Sequence, residues 1–161
     1  MPLENTIREQ IKTFLVNNKV ATLATIGGES QTPQAALVYF LYDNQDCIFL
    51  ATLGESRKVQ NLTENISAAL VIGEEGSKQT IQIEGNAEMV DDRGMRVKIL
   101  SDLNKRISSG NAESSWPLLR LEPTDIVVFR LKINWLRFSS FGEDRTIVEA
   151  KGSELKEHLG L

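Results

Sequence analysis

The chain has few of the residues that build disulfides, metal centres and histidine-dependent active sites. Its 161 residues include one cysteine, Cys47, and one histidine, His158. A single cysteine excludes an internal disulfide and any multi-cysteine metal site, and the histidine follows no nucleophile motif of a Ser-His-Asp triad. Cys47 begins the apolar run 47–50, so we interpret it as a small buried hydrophobic residue rather than a nucleophile.

Long apolar runs and an excess of positive charge are also missing. No stretch approaches the ~20 apolar residues that a membrane-spanning helix needs, and charged residues near the N-terminus argue against a signal peptide. Lys and Arg total 18 against 22 Asp and Glu, which gives a formal net charge of −4. General nucleic-acid binding requires a broad positive excess. We therefore expect a cytoplasmic protein with neither a membrane nor a nucleic acid as partner, in which any anion site is local.

Three acidic segments, residues 43–46, 74–75 and 91–92, are candidate metal sites by composition alone. None has the spacing of a calcium-binding loop, so turn and helix-cap roles are favoured. We predict no metal ligand, and we expect residues 91–92 to cap a helix.

The residues that are present suffice for one packed core. Apolar residues make up 41% of the chain and charged residues 25%, which matches an ordinary globular protein. The sequence shows no linker, internal repeat or low-complexity segment. We therefore predict a single domain over residues 1–161.

Apolar periodicity predicts a chain made mostly of strands. Apolar residues at helical spacing predict helices, and alternating or short continuous apolar runs between turn residues predict strands. Gly85 interrupts the longest predicted strand and indicates a bulge or a tight bend. The predicted strands are residues 20–26, 34–42, 47–52, 67–73, 79–90, 126–133 with a continuation over 135–141, and 146–150; the predicted helices are residues 3–17, 56–64, 93–106 and one or two fraying turns within 153–161.

These elements predict a barrel. The first three strands are joined by short turns and therefore form an antiparallel meander. Strands that are apolar on both faces in the middle and alternate at the rim suit a closed or nearly closed barrel. The predicted fold is mainly β (α+β), an antiparallel barrel of six to seven strands with a few peripheral helices.

The most informative segment for chemistry is residues 49–62. A predicted strand ends at Thr52, a glycine-containing turn follows, and a helix begins at Ser56, so Arg57 and Lys58 occupy its first turn. The positive end of the helix dipole disfavours cations there by a few tenths to ~1 kcal/mol, and a bound anion reverses that sign. Backbone N–H groups, the Ser56 hydroxyl and both cations can then converge on one phosphate. The residues alone leave open the alternative of a solvated surface pair without a ligand.

Residues 52–58, followed by Asn61 and Leu62, resemble the phosphate-binding turn of the pyridoxamine 5′-phosphate oxidase-like, FMN-binding split-barrel family. The order of the surrounding motifs agrees. A Leu-Ala-Thr pattern at 23–25 precedes an aromatic strand at 38–40 that is entered through Pro33, and a strand at 83–88 follows the Thr-x-x-x-Ser-Arg-Lys turn. The likeness covers residues 20–90 and extends in weaker form over 117–141.

The resemblance implies a homodimeric split barrel with FMN in a groove between the subunits. Arg57 and Lys58 match positions that clamp the FMN phosphate, and Ser56 and Thr52 would supply hydroxyls beside it. Segment 37–40 matches the strand that lies along the isoalloxazine ring and contacts it through its backbone. The further residues implied in the flavin site are Val38, Tyr39 and Phe40 of that segment, Thr80 or Gln82 of the long strand, and Trp135, with Arg137 and Phe138, from the partner chain.

The implied activity is that of an FMN-dependent oxidoreductase that passes a hydride or electrons between the flavin and a small-molecule substrate, with no catalytic side chain assigned. Vitamin B6 oxidation is disfavoured, because Ala35, Ala36, Leu37 and Leu41 stand where true pyridoxamine phosphate oxidases carry basic residues. The alternatives are a non-catalytic flavin- or haem-binding stress or sensor protein, and an enzyme that uses FAD or a deazaflavin. His158 would be the candidate haem ligand, although an exposed position in the tail is favoured for it.

Overall fold

The computed structural model describes residues 3–43, 45, 47–73, 75–108, 125–143 and 145–159. Strands predominate, and four helices lie between or beside them. In chain order the elements are α1 (Leu3–Asn17), β1 (Val20–Gly27), β2 (Thr32–Tyr42), β3 (Cys47–Leu53), α2 (Arg57–Glu64), β4 (Ser67–Ile72), β5 (Gln79–Met89), α3 (Arg93–Ser108), β6 (Ile126–Phe141), β7 (Arg145–Lys151) and α4 (Glu154–Leu159).

The strands form an antiparallel barrel, which confirms the predicted fold class. The sheet order is β3-β2-β1-β4-β5-β6-β7, and a further pairing of β3 with β6 closes six strands into a barrel. β7 pairs with the second half of β6 outside that closure. The 16 residues of β6 make this possible, because the strand is long enough to pair with β3 over its first half and β7 over its second.

Alternation along the strands places the core inside the barrel. On β5, Ile81 and Ile83 are buried while Gln82 and Glu84 are exposed, as the predicted period of two requires. Phe40, Phe129 and Phe138 are fully buried in the interior. Helix α1 covers this core, and its Phe14 ring packs edge-on against Phe138 with the ring centroids 6.4 Å apart.

Gly85 marks a bulge, as its position in the sequence indicates. The pairing of β5 with β6 shifts register between Glu84 and Gly85. A Cβ atom at Gly85 would lie 2.2 Å from the backbone oxygen of Lys132, which is far inside contact distance. Only glycine permits this approach of the two strands, and the bulge increases the local twist that the closed sheet needs.

Helix α3 lies outside the barrel and covers part of the sheet's outer face. Its Ile99 and Leu103 are buried in a second apolar cluster that includes Tyr39 and Leu41 of β2. Asp92 caps the start of α3, as expected, because its Oδ1 accepts a hydrogen bond from Met95 N at 2.6 Å. None of the helices within the described ranges combines the length and the apolar character needed to cross a bilayer.

The structure differs from the sequence expectations in three places. The predicted strand and its continuation over 126–141 are one strand, β6. Cys47 is half-buried rather than fully buried, because it lies at the start of β3 beside the second cluster. The C-terminal segment is packed in part, since Leu155 of α4 is buried against α1 and the barrel.

Candidate functional site

The candidate site lies where β3 passes into α2. Two backbone hydrogen bonds shape the turn between them, from Gly54 N to Asp125 O at 2.9 Å and from Ser56 N to Leu53 O at 3.1 Å. Val59 and Leu62 are buried and anchor α2 against β1, which fixes the direction of its first turn. This part of the molecule, formed by the start of α2 and the facing ends of β1 and β2, is called the α2 corner below.

The start of α2 has backbone donors that find no acceptor among the described residues. Ser56 has the extended conformation of an N-cap residue, but its side chain makes no capping hydrogen bond. Its hydroxyl lies 3.4 Å from the Thr52 hydroxyl instead. The first helical N–H groups with an acceptor are those of Val59 and Gln60, both bonded to Ser56 O. Within the described part of the chain, the N–H groups of Arg57 and Lys58 therefore have no partner, as expected of an uncapped helix start.

No residue that the structure describes neutralises the two cations of this turn. The first turn of α2 carries no acidic residue, and neither Arg57 nor Lys58 forms an ion pair with any residue that the structure describes. Desolvation by partial burial lowers the pKa of the Lys58 ammonium below its ordinary range. Partial burial of an unpaired charge at the positive end of a helix is unfavourable, and a bound anion would remove that penalty.

A cavity of about 400 Å³ opens in front of these cations. Arg57 and Lys58 form one wall, and residues of β1 and β2 form the other: Thr25, Gln34, Ala35 and Ala36. The sequence analysis assigned no role to Thr25 or Gln34. A threonine that alternates with Ala21 and Leu23 on the inner face of a strand has the pattern of a core residue, and no local signal marks its neighbour on the next strand.

Asn61 connects the two walls of the cavity. Its side chain, 4% exposed, lies on the buried face of α2. The amide Nδ2 donates to Thr25 Oγ1 at 2.9 Å and to Gln34 Oε1 at 3.0 Å. The resemblance to a known phosphate-binding turn included Asn61 only as part of the motif, so this bridging position is new information from the fold.

The aromatic segment of β2 is largely engaged in packing. Val38 and Phe40 are 1% and 0% exposed and point into the barrel core. Tyr39 points outwards and packs against the α3 cluster. A flat ligand along this strand would therefore meet backbone rather than these three side chains, and Leu37, 72% exposed, is the exposed apolar side chain beside it.

Thr80, Gln82 and Trp135 are not brought to the α2 corner of the same chain. All three lie on β5 and β6. Across the sheet, Gln82 pairs with Val71 of β4, Val71 pairs with Thr22 of β1, and Thr22 pairs with Leu37 of β2. Three strand spacings of ~4.8 Å separate Gln82 and Leu37 by about 14 Å along the sheet.

The other two candidate residues of β6 have partners in the same chain. Arg137 is paired with Glu149 of β7 at 3.4 Å. Phe138 is fully buried in the core, so its side chain is not accessible to a second chain.

Beside the corner, no element in the described part of the chain covers the outer face of the barrel, and the residues of that face are uncharged. We call it the bare face; it consists of the outward residues of β1, β2 and β4 that α3 leaves free. Leu37, Val71 and Val20 are 72%, 49% and 38% exposed. Its full set is Val20, Thr22, Ala24, Ile26, Pro33, Ala35, Leu37, Ser67, Ala69 and Val71.

Comparison with known proteins assigns the fold and the family of this arrangement. The family model for pyridoxamine 5′-phosphate oxidase matches residues 7–140. No curated protein matches the chain. Three solved structures show the fold at TM-scores between 0.62 and 0.66.

The first is a protein related to general stress protein 26, of the pyridoxinephosphate oxidase family, from Clostridium acetobutylicum; it is 19% identical, with 94% of this chain and 98% of that chain covered and a TM-score of 0.65. The second is a heme binding protein from Mycobacterium smegmatis, 16% identical, with 92% and 59% covered and a TM-score of 0.66. The third is PhzG from Burkholderia lata 383 in complex with tetrahydrophenazine-1-carboxylic acid, 17% identical, with 92% and 91% covered and a TM-score of 0.62.

Proposed function

Because this chain belongs to the pyridoxamine 5′-phosphate oxidase-like family, we propose that it binds FMN and acts as an oxidoreductase. In this proposal the flavin supplies hydride and electron transfer to or from a small molecule. The protein binds and orients the flavin and excludes water from it. No side chain of the chain is assigned as a general acid or base.

The observation that carries the proposal is the α2 corner. Two cations and two backbone N–H groups that have no partner among the described residues meet a cavity at one place. The phosphate of FMN is a dianion with acceptor oxygens only, so it matches both the charge and the donor character of this corner. Arg57 and Lys58 would hold it, with the hydroxyls of Ser56 and Thr52 beside them.

The flavin ring would extend from the corner along β2. The backbone of segment 37–40 would lie against it, since the side chains of Val38, Tyr39 and Phe40 are engaged in packing. Thr80, Gln82 and Trp135 lie too far along the sheet to reach the same ring from the same chain. We propose that these residues contact the flavin from a second copy.

The second copy would pack on the bare face. A surface without charged residues can contact its own copy across a two-fold axis without like-charge repulsion. Exposed Leu37 and Val71 would be buried there. Sedimentation at micromolar concentration should give a dimer for the native protein and a monomer for Leu37→Glu. A native monomer would contradict the homodimer.

The cavity does not favour pyridoxamine phosphate as the substrate. Ala35 and Ala36 both line it and bring no positive charge to that wall. A substrate phosphate held there would lack a cation of its own, because Arg57 and Lys58 are needed for the cofactor phosphate. The substrate is therefore proposed to be a small molecule without a phosphate group at this position. A cytoplasmic location stays a prediction.

The proposed site can be tested by measuring FMN binding in variants that lose the positive charges of α2. Arg57→Ala combined with Lys58→Ala should abolish retention of FMN and weaken its affinity at least about 100-fold, since two charge-assisted contacts are lost. Arg93→Ala combined with Lys98→Ala removes the same charge from the exposed surface of α3 and should leave FMN affinity unchanged. Equal FMN affinity in the native protein and the Arg57/Lys58 variant would reject the site.

A non-catalytic flavin- or haem-binding protein is the second candidate, favoured by the structural likeness to a heme binding protein. His158 stands in α4, which packs on α1, β6 and β7 rather than at the α2 corner. Haem held by His158 would thus occupy another part of the molecule. A Soret band in the purified protein would favour this candidate, and bleaching of bound flavin by a reduced nicotinamide, followed by reoxidation in air, would favour the enzyme.

A further inference from the structure

We propose that Asn61 is a positioning residue that turns Thr25 and Gln34 into hydrogen-bond donors for the anion in the α2 corner. This inference rests on the proposed function, because it describes how the phosphate end of that same site selects its ligand. Asn61 itself does not line the cavity. It acts through the two side chains to which it is bonded.

The orientation of each bond determines the effect. A threonine hydroxyl and a glutamine amide can both donate and accept hydrogen bonds. Asn61 Nδ2 donates to Thr25 Oγ1 at 2.9 Å, so the Thr25 hydroxyl is an acceptor on that side and its proton points elsewhere. The same Nδ2 donates to Gln34 Oε1 at 3.0 Å, which leaves the Gln34 Nε2 hydrogens directed away from Asn61.

The result is a cavity whose polar lining is made of donors. Thr25 and Gln34 line the same cavity as Arg57 and Lys58. Thr25 is 3% exposed, so little water competes for its proton once a ligand enters. A phosphate offers only acceptor oxygens, whereas a ribityl hydroxyl or a carboxamide carries protons of its own. The corner therefore discriminates in favour of a phosphate ester over the unphosphorylated compound.

The first test compares FMN with riboflavin, which lacks the phosphate. Thr25→Val removes the hydroxyl with little change of shape and should lower the affinity for FMN roughly tenfold, as expected for one hydrogen bond to a charged group. Riboflavin affinity should not change. Thr25→Ser keeps the hydroxyl and should restore the native ratio of FMN to riboflavin affinity.

The second test reverses the bonds at Asn61. Asn61→Asp replaces a donor by an acceptor of the same shape, so the Thr25 proton and the Gln34 N–H groups are drawn away from the cavity. FMN affinity should fall by more than in Thr25→Val, and inorganic phosphate should no longer compete with FMN. Gln60→Glu introduces the same charge change on the exposed side of α2 and should have little effect. Thermal unfolding without ligand separates loss of fold from loss of binding.

The outcomes distinguish this inference from the proposed function. If the native protein binds neither FMN nor inorganic phosphate, both are overturned. If FMN binds and Thr25→Val keeps the native ratio of FMN to riboflavin affinity, only the role of Asn61, Thr25 and Gln34 is overturned. A parallel loss of FMN and riboflavin affinity would show a structural role instead, and it too would overturn the inference.

Discussion

Helices α2 and α3 both begin with an arginine, but their N-termini differ in whether the preceding side chain caps the helix. Helix α3 begins at Arg93 after Asp92, whose carboxylate accepts a hydrogen bond from Met95 N at 2.6 Å. Helix α2 begins at Arg57 after Ser56, whose side chain makes no capping bond. The start of α3 therefore contains its own anion, and the start of α2 contains none among the residues described.

The difference indicates which helix end is built for a ligand. A basic residue in the first turn is tolerable at α3 because Asp92 offsets it and satisfies a backbone donor. At α2 a second cation, Lys58, is added and partly desolvated, and it faces a cavity rather than bulk solvent. The same local composition is thus an ordinary capped helix in one place and a candidate anion site in the other.

Among the changes that test this comparison, giving α2 a carboxylate cap like that of α3 should have the largest effect on FMN affinity. Ser56→Asp would place a carboxylate where the FMN phosphate is proposed to bind and would itself accept hydrogen bonds from the first-turn N–H groups. We expect FMN affinity to fall about 100-fold, since charge-assisted contacts worth ~3 kcal/mol are lost. The unliganded protein should become more stable by about 1 kcal/mol. Fluorescence titration and thermal unfolding measure the two effects, and unchanged FMN affinity would refute the comparison.

Removing the cap of α3 should affect stability only. Asp92→Ala leaves Met95 N without its acceptor and removes the carboxylate next to Arg93, so the free energy of unfolding should fall by about 1 kcal/mol. FMN affinity should stay at its native value, because α3 lies on the outer face of the barrel and not at the α2 corner. Urea denaturation gives the first quantity. A loss of FMN affinity without loss of fold would show that the two helix ends are not independent.

The smallest expected effect is a pH dependence of the unliganded protein. Burial lowers the pKa of Lys58 in the folded state, so the charged ammonium destabilises the fold. That penalty is fully present below the lowered pKa and disappears as the pH rises towards the ordinary value of 10.5. Lys58→Met should therefore be more stable than the native protein at pH 7, with the difference shrinking at higher pH. Lys98→Met, at an exposed lysine of α3, is the control and should show no such trend.

Much of the fold was predictable because it depends on local pattern. Short stretches of consecutive residues contain the apolar period of two on β5, the turn residues before β3 and the interruption at Gly85. The observed strands and bulge agree with these local patterns. The packing of Leu155 was not predictable, since a short amphipathic segment at the end of a chain gains its stability from contacts with distant elements.

The candidate site likewise has residues that could be predicted from the sequence and residues that could not. Arg57 and Lys58 stand next to each other in a helix start, so a local electrostatic argument could single them out. Thr25 and Gln34 are distant in sequence from Asn61, and their bonds to it exist only because β1, β2 and α2 pack together. The assignment of Gln82 and Trp135 to the flavin site stays a prediction, because within one chain both residues lie several strands away from the α2 corner.

By itself the sequence determined the strand and helix pattern, the barrel class and the unusual pair of cations at the start of α2. The tertiary structure decided that no described side chain neutralises this pair and that a cavity lies in front of it. It also decided that Asn61 of α2 is hydrogen-bonded to Thr25 in the opposite wall of that cavity. The physical reason is the range of the interactions. Periodicity and helix-end electrostatics act over a few residues, whereas a cavity and its hydrogen-bond polarity arise where segments separated along the chain meet.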